Sequence, residues 1–132
     1  MSRSLIQTVN AGPQDVAEMG VIGLGATTRR YGCNLRQSGD AIEASGCGYY
    51  DITAAVTVAA DAAGAVSVSM YKDGAPVTGA TGSATVAAAD NLVTIPIVST
   101  IRLGCDETAT LTFVITDGSG TVENISVRAK KA

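Results

Sequence analysis

Apolar and polar positions alternate most cleanly between Gly48 and Val58. Tyr50, Ile52, Ala54, Val56 and Val58 are apolar, and the residues between them from Asp51 to Thr57 are polar or small. A two-residue period marks a strand with one face in a core and the other turned away from it. Val66, Val68 and Met70, interleaved with Ser67 and Ser69, repeat the pattern and run into Lys72-Asp73-Gly74, a tight-turn sequence. Strands are therefore predicted over 49–58 and 65–72, and by the same signal over 83–88, 92–103, 108–116 and 121–129. Within these, Val93, Ile95, Ile97, Ile101 and Leu103 share a side, as do Leu111, Phe113 and Ile115, and then Ile125 and Val127. Pro96 cannot donate to a ladder, so its strand is expected at a sheet edge or with a bulge at that point.

The first third of the chain patterns more weakly. Residues 3–10 read as a short strand ended by Gly12-Pro13, residues 14–19 as at most a helical turn, and Val21 to Leu24 as a second weak strand. Tyr31 to Leu35 and Ala41 to Glu43 read as two short strands around Ser38-Gly39-Asp40. Many short strands at roughly ten-residue spacing, with no convincing helix, mean a sandwich or barrel of antiparallel sheets.

Composition supports this. Hydrophobic residues make up 46% of the 132, yet aromatics only 4% with no Trp, so the apolar mass is Ala, Val, Ile and Leu, which suits thin regular sheets. Charged residues are only 16%, low for a monomer's surface, and this points to self-association. A net charge of −3 argues against a nucleic-acid binder. Arg29-Arg30 and the group Arg128, Lys130 and Lys131 read as a solvated loop and a C-terminal tail, or as contacts for an acidic partner. No secretion signal and no bilayer-length apolar run is visible, so the chain is expected to act unprocessed, away from any membrane.

The chemistry of catalysis is scarce. His is absent, which removes the commonest general base, the His-dependent nucleophile arrangements and most catalytic zinc sites. No pair of carboxylates is placed for glycoside hydrolysis, and Gly23-Leu24-Gly25 lacks the third glycine and following helix of a nucleotide loop. Neither an enzyme nor a cofactor is expected.

The order of these features resembles the jelly roll shared by tumour necrosis factor and the globular head of complement component one-q. Gly48-Tyr49-Tyr50-Asp51-Ile52 is similar to that family's Gly-x-Tyr-x-apolar lead-in to a central strand. Val66 to Met70 followed by Lys72-Asp73-Gly74 is similar to its Val-x-Val strand and Lys-Asn-Gly-type turn. Leu103-Gly104-Cys105-Asp106 before Thr108 to Thr116 resembles its Gly-Asp turn, with Cys105 intruding. The closing Phe-x-Gly is replaced by Val122-Glu123-Asn124-Ile125. The resemblance covers about residues 45–130. It implies an all-β, antiparallel two-sheet jelly-roll sandwich that assembles as a homotrimer. It leaves residues 1–30 unexplained, so an N-terminal arm with a docking role is expected there, beside a jelly-roll domain over 31–132.

Short relatives of this kind resemble bacteriophage virion proteins and bacterial spore-surface proteins. The expected function is therefore a non-enzymatic structural virion protein: a homotrimeric capsid decoration or head fibre. It would be made in the host cytoplasm and dock on the major capsid protein or another virion component. The alternative is a host-attachment or surface-recognition module, on a virion or on a bacterial cell or spore surface, binding glycan or protein through its loops.

Candidate site residues follow from strand phase. Tyr49, Tyr71, Val98 and Val114 fall on outward phases and are candidates for the trimer interface. Three cysteines leave alternatives open. They are all reduced, or Cys33 and Cys47 form a disulfide across a hairpin, or thiolates hold a metal, although no CxxC spacing supports the last. A jelly roll would also bring Cys105 towards the Gly46–Gly48 end of the sheet.

Overall fold

The computed structural model describes residues 3–131. Its strands are β1 (Leu5–Asn10), β2 (Gln14–Val16), β3 (Ala26–Tyr31), β4 (Leu35–Ser38), β5 (Ala41–Ser45), β6 (Gly48–Ala60), β7 (Gly64–Lys72), β8 (Ala75–Val86), β9 (Leu92–Leu103), β10 (Thr108–Asp117) and β11 (Gly120–Lys131). A six-stranded sheet has the order β3-β1-β11-β6-β9, with β2 added beside β11, and a five-stranded sheet has the order β4-β5-β10-β7-β8. All the pairings are antiparallel. The chain passes repeatedly from one sheet to the other, as at β5–β6, β6–β7, β8–β9, β9–β10 and β10–β11. This weave is a jelly roll.

The core lies between the sheets and follows the predicted phases. Tyr50, Ile52, Ala54, Val56 and Val58 of β6 are buried against Val66, Val68 and Met70 of β7 and Leu111, Phe113 and Ile115 of β10, in one cluster with Ile95, Ile97, Ile101 and Leu103 of β9. Tyr50 and Phe113 are the largest fully buried side chains. Pro96 sits on the edge strand β9, and the β6–β9 register runs past it without a shift, so the edge and not a bulge accommodates it.

The N-terminal third departs from expectation in several places. Gln14–Val16 is a short strand on the end of β11, not a helical turn, and Val16 joins the core. Val21 to Leu24 is no regular strand. Val21 makes one bridge to Val114 and the Ile22 amide donates to the Phe113 carbonyl at 2.8 Å, while Ile22 and Leu24 are fully buried. Ala26–Tyr31, with Arg29-Arg30 at its centre, is a strand rather than a loop. Every one of its residues is exposed because it forms the free edge of the six-stranded sheet, so no alternation appears in its sequence. The hairpin around Gly39 uses Leu35–Ser38 and Ala41–Ser45, a few residues off the predicted bounds. The described part of residues 1–30, expected as an arm with short strands, forms β1, β2 and most of β3, and Ile6, Ile22 and Leu24 lie in the core cluster.

Candidate functional site

The outer face of the six-stranded sheet is the broadest surface built from regular structure. Its residues stand in rows set by the ladders. Val9, Ser126, Ala55 and Pro96 form one row across β1, β11, β6 and β9. Gln7, Arg128, Thr53 and Val98 form the next, and Leu5, Lys130, Asp51 and Thr100 the one after. On the other side of the Ala55 row come Asn124, Thr57 and Thr94, then Thr121, Ala59 and Leu92. In these rows Asp51, Arg128 and Lys130 stand at one end, with Arg102 opposite Tyr49 beyond them, while at the other end Asp15 of β2 extends the Thr121 row and accepts from the Thr121 hydroxyl at 2.7 Å. At the first of these ends the Thr100 hydroxyl donates to the Asp51 carboxylate at 2.8 Å. Towards the β8–β9 turn the β6 and β9 positions are small, hydroxylated or apolar, with Leu92 63% exposed, while Val98, 69% exposed, stands in the row of Arg128.

The predicted interface residues do not share one face. Tyr49, 56% exposed, and Val98 lie on the outer face of the six-stranded sheet, two rows apart and separated by Asp51 and Thr100. Tyr71 and Val114 lie in the five-stranded sheet. Tyr71 is half-buried between Thr112 and Pro76, and Val114 is only 5% exposed, set between Ser69 and the Val21 bridge. Strand phase alone gave Val114 as outward; the crossing segment 19–22, which bonds to the β10 edge, was invisible to that reasoning. Leu92, Ala55 and Pro96, which keep the phase of Val98 and Tyr49 along their strands, are exposed on the same face.

The cysteines gather at the end of the sandwich that carries Asp51 and Lys130. Cys47 ends the β5–β6 turn, and Cys105 sits in the β9–β10 turn. The Cys105 thiol donates to the Cys47 sulfur at 2.7 Å. The neighbour of Cys47 is thus Cys105, at the Gly46–Gly48 end where a jelly roll would bring it, rather than Cys33, its partner in the disulfide alternative. All three thiols are free and exposed. Beneath them the Tyr50 hydroxyl lies 2.8 Å from both the Ser45 and the Gly46 carbonyl, pinning the turn that carries Cys47. Burial of that hydroxyl, reinforced by the neighbouring Cys47, pushes the Tyr50 pKa up, against a hydrogen bond with Asn34. The Cys105 pKa is also raised, first by the hydrogen bond it gives to Cys47. Among the described residues no group of three His, Cys, Asp or Glu side chains is placed to hold a metal ion.

A cleft of about 470 Å³ opens next to Cys33, between the β3 edge and the β4–β5–β10 end of the other sheet, with Arg30, Asn34, Arg36, Glu43 and Thr108 in its wall. Arg30 Nε donates to the Leu35 carbonyl at 2.7 Å. Arg36 holds Glu43 in a two-pronged contact, Nη2 to Oε2 at 2.8 Å and Nε to Oε2 at 3.1 Å, which keeps the Glu43 pKa below its usual value.

Two antiparallel sheets woven in this order define a jelly roll of the tumour necrosis factor and complement one-q type. Solved structures agree over nearly the whole chain. Murine APRIL, crystallised at pH 5.0, matches with a TM-score of 0.75 at 13% identity, over 98% of this chain and 99% of its own. The globular domain of zebrafish complement 1qA matches at 0.72 and 5% identity, over 95% and 94%. The PRD1 vertex protein P5 matches at 0.63 and 14% identity, over 97% and 96%. No sequence-family model and no curated protein matches the chain. At such identities the likeness is one of fold.

Proposed function

We propose that this chain is a non-enzymatic structural protein of a virion, a homotrimer that decorates the capsid or forms part of a head fibre. The observation that carries the assembly is the outer face of the six-stranded sheet. Ala55, Pro96, Val98 and Leu92 are exposed there without an intervening charge. Small side chains let copies approach closely, and the uncharged strip from Leu92 to Val98 along β9 limits the charge that an interface would have to bury. Shared trimeric symmetry would then repeat any docking contact, so that individually weak contacts add through avidity. The place on a particle is supported by the likeness to a vertex protein over almost all of both chains. The attachment element is proposed in the first thirty residues, whose β3 presents an exposed sheet edge bearing Arg29 and Arg30, or at one end of the trimer.

Light scattering on the purified protein at micromolar concentration tests the assembly, with three times the 13.2 kDa chain mass expected. A monodisperse monomer overturns it. Cryo-EM of the purified particle tests the location, with density expected at a symmetry axis or between capsomers. A second reading, a host-attachment module, is favoured by the cleft beside Arg30 and Arg36. Binding on a glycan array that is lost in Arg30→Ala would select it.

A further inference from the structure

We propose that Cys47 and Cys105 are an oxidation site that closes to an intrachain disulfide by exchange with a small-molecule disulfide, leaving Cys33 as the one free thiol. The inference is independent of the virion reading.

The backbone brings the two residues together. Gly48 opposite Leu103 is the first rung of the β6–β9 ladder; Cys47 lies one residue before it and Cys105 two residues after. Both turns are held in place. The β9–β10 turn is closed by the Gly104 amide donating to the Glu107 carboxylate at 2.7 Å and the Glu107 amide donating to the Gly104 carbonyl at 3.2 Å. The β5–β6 turn is tied down by Tyr50. Glycine at 46 and 48, with φ of +100° and +142°, gives the Cys47 backbone a path that a side-chain-bearing residue would resist. At 2.7 Å the sulfurs are already closer than in any ordinary non-bonded contact, and both are open to solvent. Closing to the ~2.05 Å of a bond needs only a small movement of the two turns.

The order of events follows from the hydrogen bond. Cys105 donates to Cys47, so the Cys105 proton is engaged between the two sulfurs and Cys47 is the sulfur left to react first, after giving its own proton to solvent. The Cys47 thiolate attacks one sulfur of the external disulfide, its S–S bond breaks, and one thiolate leaves and takes up a proton. Cys105 then loses its proton to solvent and attacks the Cys47 sulfur, expelling the second thiolate, which is protonated in turn. The protein dithiol is oxidised and the external disulfide is reduced to two thiols. Cys33 has no thiol at such a distance.

Glutathione disulfide added to the folded protein at pH 8 tests this. Native thiol counting should fall from three to one. Tryptic mapping without reduction should show residues 37–72 joined to 103–128, with 31–36 unjoined. The oxidised chain should run as a monomer in denaturing gels and melt about 10 °C higher than the reduced one, since the bridge spans residues 58 apart. Cys105→Ser should remove the cross-link and the gain in melting temperature together, and it provides a check if Cys47→Ser folds poorly. A link between 31–36 and 37–72, a chain-to-chain link, or glutathione retained on all three thiols overturns the proposal.

Discussion

Pro96 faces Ala55 across the outermost ladder of the six-stranded sheet, in a register that runs unbroken from Gly48 opposite Leu103 to Ala59 opposite Leu92. An edge strand with a proline in it is a poor template for a further strand, because the missing N–H interrupts the row of donors. The strand nearest that edge comes from the other sheet. β8 runs close past β9, and at Gly82 an added Cβ would lie 2.5 Å from Ile95 Cγ2 and 2.7 Å from the Pro96 carbonyl oxygen. The carbonyl belongs to the backbone and cannot swing away. Gly82→Ala should therefore destabilise the fold by about 1–3 kcal/mol, as overpacking does. Chemical denaturation measures it, and an unchanged midpoint would show that the sheets have slack along this seam.

Thr8 makes the opposite kind of prediction. It is fully buried in β1, and its hydroxyl has no hydrogen-bond partner. An unsatisfied buried hydroxyl costs roughly 1–3 kcal/mol, and valine has nearly the same shape without it. Thr8→Val should raise stability by about 1 kcal/mol. A loss in the denaturation midpoint would mean that the hydroxyl is satisfied after all.

These two sites mark what a sequence can and cannot reveal. The strands from residue 48 onward were legible because each has one face in the core, so the period of two is written in Ile52, Val56, Ile95, Ile97, Phe113 and Val127. β3 was not, because an edge strand exposed on both faces needs no alternation. β8 was seen only from residue 83, since Pro76, Gly79 and Gly82 interrupt a strand that begins at Ala75. The candidate face was half legible. Phase picks out Tyr49 and Val98, but which sheet a residue belongs to depends on the crossovers, and phase cannot separate Tyr71 and Val114 from them. The nearness of Cys47 to Cys105 follows from topology, which the hairpin spacing of Cys33 and Cys47 does not reveal.

Tyr50 links the core to the thiol-bearing turn. Tyr50→Phe keeps the ring but leaves the Ser45 and Gly46 carbonyls without their donor, a loss of about 1 kcal/mol. Burial raises the folded-state pKa of Tyr50, and the Cys47 charge adds to this. The stabilisation linked to its proton is therefore complete below the ordinary tyrosine pKa and disappears as pH rises through the elevated one. Absorbance titration of tyrosinate should show one step above the usual tyrosine range that vanishes in Tyr50→Phe. A phenylalanine variant with an unaltered alkaline titration would contradict the assignment.

The Arg36–Glu43 pair is expected to tune a charge and contribute little to stability. Arg36 lowers the Glu43 pKa through its hydrogen bonds and charge, so the linked contribution is present above the ordinary glutamate pKa and fades as pH falls through the lowered one. Both side chains reach solvent, where such pairs contribute little. Arg36→Ala should return the Glu43 pKa, read by NMR, to its usual value with hardly any change in melting temperature. A large drop in melting temperature would give the pair a structural weight that its exposure does not support.

The proposed assembly face can be separated from the rest of the surface by placing one charge on each sheet. Val98 is exposed beside Thr53 on the six-stranded sheet, and Thr85 is exposed opposite Ala65 on the five-stranded one. An aspartate at either position is compatible with the fold, because both side chains point away from the core. At Val98 the new carboxylate would be taken out of water in each interface of a trimer, a cost that Arg128 in the same row offsets only in part, whereas at Thr85 it would stay in water. Val98→Asp should weaken association at least ~10-fold for each ~1.4 kcal/mol of uncompensated desolvation, with unchanged melting of the dissociated chain. Thr85→Asp should sediment like the parent. If Val98→Asp keeps the parental mass in light scattering while Thr85→Asp falls apart, the copies meet through the other sheet.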